Sequence, residues 1–177
     1  GMEEYQLVNL IGPIKEEIKL WGDFPLIAAG GVLDHEDIKK LMELGADGVQ
    51  MGTRFIGTHE CDADAQFKEV ILNSTKESIQ LFKSPVGYPA RGVKTNLLNM
   101  VEKKEGPAIR CISNCVSPCH RGQEAKAVGY CIADRLTDAY LGKVETGLFF
   151  TGANGYKLNE IISVKELISK LVYGENS

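Results

Sequence analysis

Two glycine-bearing turns carry the clearest chemistry in this sequence. Gly30-Gly31 follows one short apolar run, and Gly52-Thr53 follows a second apolar run at 47–51. Glycine lets the backbone approach a ligand closely, and the N–H groups of such turns bind phosphate oxygens. The amphipathic stretch between the two runs has the length of a crossover between parallel strands. Both turns are therefore predicted to leave the same end of a sheet and to hold a phosphate there.

The residues around these turns are further candidates for the same ligand. Thr53 would add a hydroxyl donor, and the N-terminus of the helix after Gly31 would add partial positive charge. Weaker candidates lie at the ends of the apolar runs, namely Ala29, Gln50 and Met51. The alternative is purely structural, because glycines serve a tight strand-to-helix turn equally well.

Four of the five cysteines form a second motif, at Cys111, Cys115, Cys119 and Cys131. Clustered thiolates are ligands for zinc or an iron–sulfur cluster, and the alternative is a set of reduced thiols packed in a small domain. The spacing is similar to the cysteine run that holds an iron–sulfur cluster in flavin barrels of the old-yellow-enzyme type. It departs from that run by one residue in the first gap.

Composition excludes several classes of function. The 177 residues carry a formal net charge of −4 and no long Lys/Arg run, which argues against nucleic acid as the main partner. No apolar run approaches the roughly 18–20 residues that span a bilayer. We expect a cytoplasmic protein that acts on a small molecule.

The predicted strands and helices that position these motifs alternate in the first third of the chain and not beyond it. Helical periodicity predicts helices at 3–21 (with the helix proper starting near Pro13), 34–44, 62–73, 95–104, 123–141 and from Ser163. Strand-like patterns predict strands at 25–29, 47–51, 78–83 and 147–155. The stretch 84–92 is predicted to be a loop. Asp34 and Ser163 are predicted N-caps, and Gly45 is a predicted helix stop. The strand–helix alternation fails after Phe55.

The segments PLIAAGGV, LGADGVQMGTRF and HECDADAQFKEVI resemble the nitronate monooxygenase family, formerly called 2-nitropropane dioxygenases. The pattern is also similar to that of type II flavin-dependent enoyl-acyl-carrier-protein reductases, which share the fold. The resemblance implies an α/β fold, namely the C-terminal part of a (β/α)8 TIM barrel that binds FMN. In this layout residues 2–57 contain barrel strands seven and eight, 58–146 form an inserted, mainly helical small domain, and 147–177 contain a return segment and the final barrel helix.

The same resemblance implies the functional assignments. The FMN site would use Ala29, Gly30, Gly31, Gln50, Met51, Gly52, Thr53 and Asn154. The first six strands and the family's catalytic histidine lie upstream of the matching region. None of His35, His59 and His120 corresponds to that histidine, so this chain is expected to contribute no catalytic residue.

Three functions stay open on this basis. The first is the C-terminal part of a flavoprotein oxidoreductase that oxidises alkyl nitronates or nitroalkanes with oxygen. The second is a flavin-dependent enoyl-thioester reductase. The third is a catalytically silent, truncated chain or half-barrel. Because two strands cannot close a barrel, we expect a homo-oligomer or assembly with a separate N-terminal half.

Overall fold

The computed structural model describes residues 6–117, 119 and 122–174, so His120 lies outside the described residues. In chain order the elements are α1 (Leu7–Lys19), β1 (Ile27–Ala29), α2 (His35–Glu43), β2 (Gly48–Gln50), α3 (Thr53–Ile56), α4 (Ala65–Leu72), β3 (Ile79–Phe82), β4 (Ala90–Val93), α5 (Asn96–Glu102), α6 (Gln123–Val128), α7 (Ile132–Tyr140), a 3-10 turn (Gly155–Lys157) and α8 (Val164–Tyr173). They divide into two compact units. One unit contains the described residues up to Cys61 and from Ile161 onward, and the other spans Asp62–Glu160.

The first unit is built on a parallel pair of strands, β1 and β2, joined by the helical crossover α2. Helices cover one face of this pair. The buried side chains of that layer are Ile11, Ala28, Val32, Leu41 and Ala46. Helix α8 adds a second layer through Leu167 and Leu171, which pack with Ile38 and Phe55. Burial of such aliphatic side chains contributes about 1.5–3 kcal/mol each, so these two layers hold the crossover in place.

Helix α1 departs from its prediction at Pro13. The helix begins at Leu7 and contains Pro13 in its interior, so the prediction that the helix proper starts near Pro13 is wrong. Proline removes one backbone donor from a helix. Here the first turns are retained because Ile11 is buried and Leu7 and Val8 pack against the same core.

Local end signals in the first unit agree with the sequence predictions. Asp34 caps α2 by accepting a hydrogen bond from the Asp37 N–H, and Ser163 caps α8 by accepting one from the Glu166 N–H. Gly45 follows α2 with φ of 108°, a left-handed conformation that suits glycine. The amphipathic stretch buries Leu41, whereas Met42 and Leu44 are exposed.

The second unit contains an antiparallel hairpin of which only the first strand was predicted from the sequence. β3 pairs with β4, and β4 lies at the end of the stretch predicted as a loop. The predicted strand at 147–155 is reduced to a single bridge between Gly92 and Phe150. A Cβ at Gly92 would lie 2.3 Å from the carbonyl oxygen of Phe149, so glycine permits this close approach.

The predicted helix at 123–141 is two helices. Gly129 has φ of 102° and ends α6, and Cys131 is the extended N-cap residue of α7. Tyr130 lies between the helices and is buried with Leu97, Leu98 and Leu148. Because a left-handed glycine cannot continue an α-helix, the chain turns here and brings Tyr130 into the core.

A buried network of charges stabilises α7. Arg135 pairs with Asp134 and, at 3.0 Å, with Asp138, while Lys143 and the Thr146 hydroxyl contact Asp138 at 2.9 Å. Burial opposes ionisation of the two carboxyls. Hydrogen bonds from Arg110 and Arg135 nevertheless hold the pKa of Asp134 below the usual range, and those from Lys143 and Thr146 do the same for Asp138. The charges are therefore mutually satisfied, as buried ions must be.

The α/β class predicted from sequence agrees with this architecture. The assignment of residues 2–57, 58–146 and 147–177 to barrel, inserted domain and return segment stays a prediction. Among the helices of the described residues, none has the length and apolar character needed to cross a bilayer.

Candidate functional site

The parallel register of β1 and β2 brings the two glycine turns to one edge of the sheet. Ile27 pairs with Gly48, and Ala29 pairs with Gln50, so both strands end at the same level. Neighbouring strands lie about 4.8 Å apart. Gly30-Gly31 and Gly52-Thr53 therefore leave from adjacent positions at the carboxyl ends of the strands.

Asp47 fixes this register at the opposite end of the strands. Its backbone N–H donates to the Leu26 carbonyl at 2.8 Å, and its carboxylate accepts from the Leu26 N–H at 2.7 Å. Lys15 of α1 donates to the same carboxylate oxygen at 2.5 Å. The Leu26 N–H and then Lys15 lower the pKa of Asp47. One side chain thus joins α1 to the starts of both strands.

The glycine turns leave open space in front of their backbones. Gly30 and Gly31 have φ of 110° and 73°, which favour glycine at both positions. A Cβ placed on Gly30 or on Gly52 would meet no atom within 4 Å among the described residues. An oxyanion therefore has room to approach both turns, and the two turns fit a phosphate group.

The N-terminus of α2 is less available to an anion than the sequence pattern predicts. Asp34 accepts from the Asp37 N–H at 2.9 Å, and the Asp37 carboxylate accepts from the Leu33 N–H at 2.9 Å. Glu36 adds a third carboxylate in the first turn. These acids satisfy donors and offset the positive end of the helix dipole.

The short helix α3 presents the opposite situation. Its N-cap is Gly52, which supplies no capping side chain, and its first residue is Thr53. Arg54 follows in the same turn and is half-buried. The residues that follow the second strand are thus a glycine, a threonine and an arginine, which are residue types that bind phosphate.

The structure places the remaining predicted site residues as follows. Ala29 and Gln50 are exposed at the paired strand ends. Met51 packs against both layers of the first unit, so its side chain serves the core. Asn154 lies in the second unit, immediately before the 3-10 turn. The roles of these residues toward a cofactor stay predictions.

The loop that carries Asn154 is held by a close contact between Thr151 and Gly155. A Cβ on Gly155 would lie 2.0 Å from the Thr151 Oγ1 atom. This hydroxyl is buried and has no hydrogen-bond partner within the described part of the chain. This close approach requires glycine at position 155, the first residue of the 3-10 turn.

Asp47 and Lys15, which position the candidate site, were not predicted from the sequence. Their signal was weak because 32 residues separate them along the chain. An aspartate at the first position of an apolar strand is unusual, and this feature is the local sign that could have identified Asp47.

The four-cysteine motif does not form the predicted metal site. Cys119 and Cys131 are buried in one cluster around Ala125, Cys115 packs against that cluster, and Cys111 is exposed. Among the described residues, no group of three or more His, Cys, Asp or Glu side chains could hold a metal ion. Of the two interpretations of this motif, reduced thiols packed in a small domain agree with these positions, and a zinc or iron–sulfur site finds no support in them.

Comparison with solved structures defines the class of fold. FabK from Thermotoga maritima superimposes with a TM-score of 0.73 and 25% identity over 96% of this chain and 48% of that chain. Nitroalkane oxidase from Streptomyces ansochromogenes does so with a TM-score of 0.65 and 20% identity over 98% of this chain and 47% of that chain. The chain shares its α/β fold with about half of each structure.

Sequence comparison then identifies the family. The family model described as nitronate monooxygenase matches residues 1–174. A probable nitronate monooxygenase of Staphylococcus aureus (strain Newman) is 34% identical over 99 residues, which are 56% of this chain and 27% of that protein. The chain belongs to the nitronate monooxygenase family, and the matched part spans about a quarter of that relative's length.

We predict that the Asp47 carboxylate stabilises the first unit in a pH-dependent way. Asp47→Ala should lower the melting temperature at neutral pH more than Asp47→Asn, since asparagine can still accept from the Leu26 N–H but cannot pair with Lys15. Circular dichroism melting measures both effects. Because the folded-state pKa is lowered, the stabilisation is present above the unfolded carboxyl pKa of about 3.9 and is lost as pH falls through the folded pKa.

The gap between wild type and Asp47→Asn should therefore close in acid. Asp23→Ala, which removes an exposed carboxylate from the loop before β1, is the matched control and should melt like wild type. An Asp47→Ala protein as stable as wild type at neutral pH would contradict the positioning role.

Proposed function

We propose that this chain supplies the FMN-phosphate corner of a flavin-dependent oxidoreductase. The observation that carries the proposal is the register of β1 and β2, which sets Gly30-Gly31 and Gly52-Thr53 side by side, with open space beside Gly30 and Gly52. Membership of the nitronate monooxygenase family supports the same cofactor.

Each residue at this corner has a defined task. The backbones of Gly30, Gly31 and Gly52 would donate N–H groups to phosphate oxygens, and Thr53 would add its hydroxyl. Arg54 would supply the positive charge that the N-terminus of α2, with its own acids, does not. FMN, when bound, supplies the electron-transfer chemistry. These residues would hold its phosphate end and thereby orient the molecule.

The proposed fold rests on the same family membership. We infer that β1 and β2 are the seventh and eighth strands of a TIM-like barrel, that α8 is its final helix, and that residues 58–146 form an inserted small domain. Phosphate sites formed by the loops after strands seven and eight are common in such barrels. The position of the glycine turns at the carboxyl ends of both strands supports this arrangement.

The proposed substrates are alkyl nitronates or nitroalkanes, with oxygen as the electron acceptor. Family membership supports this reaction. A second candidate is a flavin-dependent enoyl-thioester reductase that uses NAD(P)H, because the glycine motifs are similar in both groups of enzymes. The chain's own histidines are not assigned to either reaction. His35 donates from Nδ1 to the Leu171 carbonyl at 3.0 Å, which is a structural role.

The third candidate, a half-barrel that assembles with another chain, rests on the open face of the sheet. Parallel sheets are normally covered on both faces. Here α1 and α2 cover the face of Ala28, while Ile27 on the other face is 52% exposed and Ala29 and Gln50 are exposed beside it. We propose that a second copy, or a separate N-terminal half, covers this face.

The phosphate role predicts that the 177-residue chain binds FMN more tightly than riboflavin, which lacks the phosphate. Charge-assisted hydrogen bonds of about 1.5–3 kcal/mol give a ratio of about tenfold or more. Quenching of flavin fluorescence measures both affinities. The ratio, rather than the absolute affinity, tests the corner, because it does not depend on the other walls of the flavin site.

The matched variants are Gly52→Asp and Gly52→Asn, which are equal in size and differ by one negative charge. Gly52 has a negative φ and open space before it, so both variants should fold. Gly52→Asp should abolish the preference for FMN, and Gly52→Asn should weaken it less. Equal affinity of the wild-type chain for FMN and riboflavin would refute the phosphate role.

Turnover by the FMN-loaded chain discriminates the candidate reactions. An alkyl nitronate is already deprotonated and needs no histidine base from this chain, so we expect oxygen consumption with the nitronate. We expect no NADH oxidation with an enoyl thioester, and an oxygen electrode and absorbance measure the two reactions. NADH oxidation that depends on the enoyl thioester would replace the first candidate with the second. Absence of both activities would favour the half-barrel.

The open face predicts self-association of the isolated chain, which sedimentation velocity measures. Ile27→Asp places a charge on that face and should shift the chain to monomers without unfolding it, since this side chain is half exposed. Met42→Asp is the matched control because Met42 is exposed on α2 and lies outside the face. A wild-type chain that sediments as a monomer would argue against self-association.

A further inference from the structure

The second unit contains a pocket of about 510 Å³ beside the β3–β4 hairpin. Its walls come from the end of β3, the connecting loop and the end of α6. Pockets that hold small molecules typically measure about 300–1,000 Å³ and are mostly apolar with a few placed polar groups. All lining residues lie within Asp62–Glu160, so the second unit supplies the whole lining.

The apolar wall of the pocket is fixed by the core beneath it. Phe82 contacts Phe150 with ring centroids 6.0 Å apart, and Val128 packs against the same core. Leu81 also lines the pocket and is 45% exposed. An apolar ligand could therefore bury Leu81 against a surface that is already ordered.

The connecting loop forms the other wall and is held by its own bonds. Ser84 accepts from the Gly87 N–H with its carbonyl and from the Val86 N–H with its hydroxyl, both at 3.3 Å. Gly87 has φ of 83°, and Pro85 is fully buried. Tyr88 lies in the same loop and is largely exposed at the pocket. The loop is thus preorganised, which lowers the entropic cost of binding.

Charge at the pocket has one sign. Lys83 is the charged lining residue, and the lining includes no acidic side chain among the described residues. Tyr130 donates its hydroxyl to the Lys83 carbonyl at 2.6 Å and so anchors this backbone. Burial raises the pKa of Tyr130 to about 12, so the hydroxyl keeps its proton. Arg91 pairs with Leu81 across the hairpin and brings a second cation to the same face.

We propose that this pocket binds an amphipathic organic anion, a molecule with an alkyl or aryl body and a carboxylate or similar oxyanion at one end. The body would pack on Leu81, Phe82 and Val128, and the oxyanion would pair with Lys83. An apolar wall beside cations favours such a molecule over a neutral one or an amphipathic cation.

Decanoate, decanol and decyltrimethylammonium are matched probes that differ in the charge of one end. Each is titrated into the ¹⁵N-labelled 177-residue chain, and amide chemical shifts report both the affinity and the location of binding. We expect shifts at Phe82, Lys83 and Val128, with decanoate binding most tightly and decyltrimethylammonium most weakly. Equal or tighter binding of the cation would overturn the proposal. Shifts that centre on exposed apolar residues elsewhere, such as Trp21 and Phe24, would do so as well.

Two lysines provide matched variants. Lys83→Gln should weaken decanoate binding about fivefold, the upper range for a partly solvated ion pair, and should leave decanol binding unchanged. Lys126→Gln removes the same charge from an exposed position on α6 outside the pocket and should change neither. Equal effects of the two substitutions would show that Lys83 acts only through the net charge of the chain, and this result would refute the proposed contact.

Leu81→Asp tests the apolar wall. Leu81 is exposed enough for the substitution to leave the fold intact, and the amide spectrum itself reports folding. Binding of decanoate and of decanol should both be lost, since the substitution removes the apolar contact and adds a negative charge. Retention of decanoate binding by this variant would show that the body of the ligand does not lie on Leu81.

Discussion

The reciprocal hydrogen bonds between Leu26 and Asp47 are the constraint on which the candidate site depends. A parallel register is only weakly specified by two strands of three residues each. The Asp47 carboxylate removes this ambiguity because it closes a ring with Leu26 and also binds Lys15 of α1. A slip of one residue would separate the glycine turns and reverse the faces of Ala28 and Val49. The candidate site at the carboxyl ends of the strands therefore depends on a polar contact at their amino ends.

The two helices that follow the strands carry opposite charges in their first turns, at the carboxyl ends of the strands. The first turn of α2 carries Asp34, Glu36 and Asp37, which stabilise the helix and repel a second anion. The first turn of α3 begins at Gly52 and contains Arg54 instead. A phosphate at the proposed site would therefore meet less repulsion at the second strand than at the first. This asymmetry would let the fold combine a strongly capped crossover helix with the proposed phosphate site beside it.

Sequence patterns predicted local features well and non-local features poorly. The caps at Asp34 and Ser163, the stop at Gly45 and the two glycine turns all follow from residue types within a few positions. Strand β4 was missed because its pairing with β3 is what makes it a strand, and its composition is that of a loop. The break between α6 and α7 was missed because a glycine inside a helical pattern does not reveal its φ.

The candidate site shows the same division. The glycine turns could be predicted because their chemistry is local, whereas the residue that aligns them could not. Asp47 acts through Leu26 and through Lys15, which lie 21 and 32 residues away along the chain. The role of such a residue is defined by the folded structure. Periodicity assigned it to the strand and gave no indication of its bonds.

Ion pairs join the cysteine-bearing segment of the second unit to α7. Arg110 immediately precedes Cys111 and pairs at 2.8 Å with Asp134, which is 1% exposed. Arg135 holds the other oxygen of the same carboxylate. Removing either cation would leave part of a buried charge uncompensated, and this cost, more than the net attraction of the pair, makes the link specific. The thiols of Cys119 and Cys131 pack as small groups around Ala125 in the unit that this link stabilises.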